Sequence, residues 1–349
     1  MMKTLILSKS SILITAVFSA TVLCSQAAAH HALNAFFDLD APVEIDGTLT
    51  SVRWTNPHIA FELESTGPDG ETVSWRVESG SPVLLRREGI NADTFTVGDQ
   101  VAITGFPSKL RDNEIVGAVI HMESGRDVPM FRSLAGRLGY DLTPSGSHID
   151  AEVAAASTQG ARGIFRVWSF DDDPSLREFE PAFNQAAIAA RVDFDPLVDD
   201  PALSCTPRGM PFAMENRFPI EFVDQGETIA LRLEMWDSTR KIRMTDDGNV
   251  AQQQPTPLGY SVGQWDGDTL IVTTNGIDWP YFDEIGTPQS SAIETEERFV
   301  LSGDDTVLDY QIAITDPNTL LEPAVRRARW RWVPGEEIQT YGCEIATVD

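Results

Sequence analysis

Histidine, lysine and cysteine are scarce in this chain, and each scarcity removes a chemistry. All five histidines precede residue 149, so the second half of the 349-residue sequence has no imidazole. A Ser-His-Asp or Cys-His nucleophile cannot be assembled there. Lysine occurs only at positions 3, 9, 109 and 241, which makes Schiff-base chemistry a poor fit. No glycine-rich loop joins a strand to a helix, so neither phosphate-cradling nor dinucleotide fingerprints are present. Long apolar runs are missing too, and the one near the N-terminus is too short to span a bilayer.

That short run belongs to an expected export signal. Lys3 and Lys9 give the charged start, Ile12 to Phe18 lies in the apolar middle, and Ala27-Ala28-Ala29 reads as the cleavage site. Leu23 before Cys24 argues against a lipoprotein site. Processing would leave two cysteines, Cys205 and Cys343. In an exported protein such a pair predicts a disulfide, here stapling the entry of a second domain to its last strand. The expected compartment is the periplasm or the exterior.

The formal charge is −27, a field that repels phosphate backbones and anionic lipid heads. Nucleic-acid and membrane-surface partners are therefore not expected. A hydrophobic content of 42 % is that of an ordinary globular protein, with room for two domains.

Residues 30–124 read as a small barrel. Alternating strands are expected at 43–52, 58–64 and 72–77. A helix follows at 81–87, with Ser81 as its N-cap and Pro82 at its first position, and two more strands at 101–105 and 115–120. Three strands, a helix and two strands is the order of a five-stranded OB-type barrel. Residues 125–161 lack strand periodicity and read as linker, with the boundary near Arg162. A strand at 163–168 and a helix from Pro181 to Ala190 precede a long antiparallel meander, 218–345, with turns every 8 to 12 residues. The predicted class is all-β: the OB-like barrel, then a larger lipocalin-like antiparallel barrel over 162–349.

His30-His31-Ala32, Trp54-Thr55-Asn56-Pro57-His58, Gly80-Ser81-Pro82 and Leu85-Arg86-Arg87 together resemble an uncharacterised family of exported bacterial proteins. In the second half, Cys205 with Pro207 to Pro211 and the run Gly259 to Leu270 likewise resemble part of an uncharacterised exported family. The resemblance implies no established activity. Tyr260, Gln289 and Glu294 stand where that pattern leads one to expect histidine.

Carboxylates, tyrosines and arginines remain for chemistry in the second barrel. Glu297 shares strand phase with Ile293, Thr295 and Phe299, so it is expected to face inward, free as an acid or base or paired to Arg327, Arg329 or Arg331. The loop 275–283, with Asp278, Trp279, Tyr281 and Asp283, is either a cavity wall or a cap. The function expected is binding of a small apolar or aromatic molecule in the barrel, lined by Tyr260, Trp265, Trp279, Tyr281, Arg298 and Arg329. One alternative is a hydrolase, lyase or isomerase using Glu297 with Asp278 or Asp283. The other is copper held by His30 as a new N-terminus with His31, His58 or His121; no other cofactor is implied.

Overall fold

The computed structural model describes residues 33, 36–140, 142, 146, 148–160, 163–171, 173–176, 179–196, 198–245 and 254–345. Residues 1–29, where an export signal is expected, and His30 and His31 lie outside the described residues. The first barrel consists of β1 (Val43–Arg53), β2 (Ala60–Thr66), β3 (Thr72–Glu78), β4 (Gln100–Pro107) and β5 (Glu114–Met122). Strand order β3-β2-β1-β4-β5 closes through a parallel β3–β5 pairing, which is the OB-type circuit expected. Helix α1 (Pro82–Arg87) sits between β3 and β4, and the Ser81 hydroxyl accepts its Val83 N–H at 3.3 Å.

The stretch after β5 is not a bare linker. β6 (Asp127–Pro129) pairs with β5, and α2 (Arg132–Arg137) buries Leu134 and Ala135 against Phe106, Val116 and Val119. A helix α3 (Ala151–Gly160) follows. Sequence periodicity missed β6 because three residues are too few to show alternation.

The second barrel is closed and has nine strands: β7 (Val167–Phe170), β8 (Ile220–Asp224), β9 (Thr228–Leu233), β10 (Ser238–Arg243), β11 (Tyr260–Asp266), β12 (Thr269–Asn275), β13 (Glu294–Leu301), β14 (Val307–Thr315) and β15 (Ala324–Arg331). Neighbours follow sequence order, and β15 returns to β7. An odd number of strands cannot alternate all the way round, so one adjacent pair must be parallel. That pair is β10–β11. Between β7 and β8 the chain makes a long excursion containing a shorter helix than expected, α4 (Gln185–Ala190). Asn184 caps it, accepting the Ala187 N–H at 2.9 Å, because Phe183 is drawn out to bridge Leu320 of the β14–β15 connection.

Trp168, Phe222, Leu231, Leu270, Phe299, Leu308 and Trp330 fill the barrel interior with their side chains, all buried. At roughly 25 cal/mol per Å² of apolar surface, a core of this size is the main stabilising term.

The two barrels are joined along a seam carried by residues 333–345. Asn56 donates to the Tyr341 carbonyl, accepts the Ser81 hydroxyl at 2.5 Å, and gives its own carbonyl to the Glu344 N–H at 3.0 Å. Trp236 adopts a left-handed backbone (φ 65°), costly for a bulky residue but needed to turn its ring onto Tyr341, 5.2 Å away. Asp237 then accepts the Tyr341 and Gly342 N–H groups at 2.8 and 3.0 Å. Cys343 is therefore not in a barrel strand: it bridges Asn56 of the first domain and is bonded to Cys205, S–S 2.00 Å and Cα–Cα 5.8 Å. The disulfide pins the seam to the β7–β8 excursion rather than closing the barrel.

Arg87 is the ionic centre of the seam. It holds Glu234 through two bonds of 2.7 Å and Glu336 through one of 2.8 Å. Burial works against the guanidinium, but the Glu234 hydrogen bonds and charge, with Glu336, outweigh it and raise its pKa. Arg87→Met would leave two buried carboxylates facing each other. A loss of about 3 kcal/mol in urea unfolding is expected, the low end for a broken buried pair because a seam admits water more readily than a core. No change in the unfolding midpoint would contradict this role.

Candidate binding site at the mouth of the large barrel

Register sorts the barrel strands by face. On β13, Thr295, Glu297 and Phe299 point inward, as phase predicted, and Glu297 is fully buried. Its partner is not among the arginines expected. Trp330 fixes the inward phase of β15, so Arg327, Arg329 and Arg331 face out. Arg329 pairs with Asp309 (2.7 Å) and Asp173 (3.3 Å), and Arg331 with Asp171 (2.8 Å).

The group that meets Glu297 is Arg240 of β10, 1 % exposed and flanked by inward Ile242. It grips both carboxylate oxygens, one at 2.9 Å. Its remaining donors reach the Ser261 hydroxyl (2.8 Å) and the Thr274 hydroxyl (2.6 Å), and the Tyr310 hydroxyl donates to Glu297 at 2.8 Å. Burial, then the Glu297 charge, pushes the Tyr310 phenol well above its usual pKa, so it stays a donor. Every polar member of this network has a partner on the barrel wall. In this arrangement Glu297 is a buried, paired anion, its oxygens engaged by Arg240 and Tyr310.

The other expected carboxylates lie elsewhere. Asp283 ties its own loop, accepting from the Thr287 hydroxyl (2.5 Å), the Thr287 N–H (2.9 Å) and Arg191 (3.5 Å). Asp278 is exposed. The proposed lining residues do not converge either. Tyr260 is covered by Arg243 at 4.0 Å, Trp265 is 44 % exposed beside Phe165, and Arg298 and Arg329 lie on outward phases. Trp279 is buried in the loop that caps the barrel, packed over Gly209, where an added Cβ would stand 2.6 Å from the indole. Tyr281 packs edge-on to Phe194 at 5.0 Å. His58 places Nδ1 2.9 Å from the Ser79 carbonyl and 3.5 Å from Glu78. Among the described residues no group of three or more His, Cys, Asp or Glu is arranged to hold a metal ion.

What the structure does assemble is a cleft at one mouth. β12 and β14 end there, β13 and β15 begin there, and the β7–β8 excursion folds over the opening. Phe179, Phe212, Met214, Phe282, Ile312 and Ile314 line it, with Arg326 and Glu215. Phe179 lies parallel to Phe282 at 6.3 Å, and Phe183 meets Phe282 edge-on at 5.1 Å. Arg326 is on the inward phase of β15, opposite Ile312, with its guanidinium 5.4 Å from the Phe179 ring centre. Its salt-bridge partner is Glu215, which follows the short 3₁₀ turn Phe212–Met214. Burial lowers the Arg326 pKa to about 10. Side chains of the pair are 20 % and 27 % exposed, so the ions stand at the rim and the rings behind them. The gap measures about 10 Å³, room for about one water.

Sequence reasoning missed Arg326 because it sits in a run of arginines whose members alternate faces. The even-numbered phase of Ala324, Ala328 and Trp330 was the signal that could have found it.

A half-buried ion pair at the rim of an aromatic cleft is a poor choice for stability alone. The double variant Arg326→Met with Glu215→Met should therefore be about 1–2 kcal/mol more stable in urea, since apolar replacement of such pairs is often stabilising. Loss of stability in the double variant would mean that the pair holds the excursion in place.

Residues 19–117 match the model of a family of unknown function (DUF6152), which covers most of the first barrel. The chain matches no curated protein sequence.

Proposed function

We propose that this is an exported protein that binds a small apolar or aromatic molecule, and that the ligand sits at the mouth of the larger barrel. One observation carries the reading: four phenylalanine, methionine and isoleucine-bearing segments, distant in sequence, meet around a gap shut by a single ion pair instead of by further apolar packing. The barrel hollow offers no comparable space, because its own side chains occupy it. The Cys205–Cys343 bond supports an oxidising compartment. At its present size the cleft must open to admit a ligand. The short turn Phe212–Met214, carrying Glu215, is the element placed to move.

Fluorescence titration with 2-naphthylmethanol tests the reading. Binding is expected to the wild type and to be lost in Met214→Trp, which fills the cleft. Failure of the wild type to bind, or full binding by Met214→Trp, would overturn it. Native mass spectrometry of the exported protein should show a small occupant that the same substitution removes.

A further inference from the structure

We propose that the cleft selects ligands carrying a carboxylate, which takes the place of Glu215 on Arg326. This rests on the reading of the cleft just given and names the ligand class within it.

Arg326 is the positive group of the cleft lining, and its position is fixed by strand register opposite Ile312 rather than by a loop. Its counter-ion is carried differently. Glu215 comes from outside the barrel wall, on a three-residue turn, and reaches in to the guanidinium. The protein's own carboxylate thus occupies the seat that a ligand anion would use, with the apolar body of the ligand directed onto Phe179, Phe212 and Phe282. A planar guanidinium offers paired donors to one carboxylate, and when Glu215 withdraws those donors are left in an apolar site where an anion is the natural replacement. Glu215 released to the rim returns to water, so the exchange leaves no buried charge without a partner. The net charge of −27 opposes anions at long range, but at physiological salt that field is screened beyond about 8 Å, and the local arginine governs.

Three probes of one shape separate the possibilities: 2-naphthoate, 2-naphthylmethanol and 2-naphthylmethylamine, titrated against the folded protein with calorimetry. Wild type is expected to bind the acid at least ~10-fold more tightly than the alcohol, about the worth of one charge-assisted contact. Glu215→Gln should tighten both the acid and the alcohol, because the cleft opens more readily, and should tighten naphthoate ~10-fold more than the alcohol, because the internal competitor for the guanidinium is gone. Arg326→Met with Glu215→Met keeps the cleft without either ion and should erase the acid preference while still binding the alcohol. Equal affinity for acid and alcohol in the wild type would overturn the carboxylate proposal and leave the cleft reading standing. Tighter binding of the amine would make Glu215 the recognition group and overturn it as well. Binding of none of the three would remove the cleft reading itself.

Discussion

Glu297→Leu should cost about 3–5 kcal/mol of stability, because it strands a guanidinium inside the barrel. Arg240 is 1 % exposed, and of its four hydrogen-bonding contacts only the two neutral ones, to Ser261 and Thr274, would survive. Tyr310 would lose its acceptor in the same stroke. Arg240→Leu should be comparably damaging, since it buries the Glu297 carboxylate against Val272 and Ile312, its register neighbours. The double variant should recover most of the loss, because the cost lies in the uncompensated charge and not in the missing bond. Urea unfolding of the four proteins gives the cycle. Additive losses would mean that the two groups are not a unit.

The second large effect concerns the disulfide. Cys205 and Cys343 are 138 residues apart, a loop whose closure stabilises by about 4–5 kcal/mol in the chain-entropy picture. Cys343→Ser with Cys205→Ser should lower stability by that order and loosen the seam locally, since the bond holds both the 333–345 strap and the segment after α4. Hydrogen exchange at Gly342 and Glu344, whose N–H groups bond Asp237 and Asn56, should accelerate more than exchange at Val272 in the barrel core. Uniform acceleration would show that the bond supports the whole barrel and not the seam.

The expectation that placed Cys343 in a barrel strand failed for a local reason. A strap of turn residues around Pro334-Gly335 carries a cysteine as readily as a strand does, and pairing alone does not say what surrounds the sulfur. The strands themselves were legible because one face of each is wet and the other dry, which prints period two onto β1, β9, β13 and β14. That same alternation correctly turned Glu297 inward. Its partner was missed because β10 was not recognised as a strand. Arg240 shares phase with Ile242, and six residues flanked by Trp236-Asp237 and a run of Asp, Gly and Gln show little alternation. The mouth cleft was out of reach for a different reason: its walls come from residues 179, 212–215, 282, 312–314 and 326, and nothing local in any of these segments announces the others. The motif Trp54 to His58 and the motif Gly80 to Arg87 found no catalytic role. Asn56, Ser81, Arg86 and Arg87 from them build the seam, with Arg86 donating to Gln339 at 3.2 Å.

The interior of the large barrel is a sealed apolar core holding one ionic network, Arg240–Glu297–Tyr310, and the ligand we propose sits at its rim. Calorimetric titration of 2-naphthylmethanol into the Arg240→Leu, Glu297→Leu double variant puts that division to the most direct test. An affinity within about twofold of wild type is the predicted result. A folded double variant that no longer binds would place the ligand among Arg240, Glu297 and Tyr310 and contradict the account.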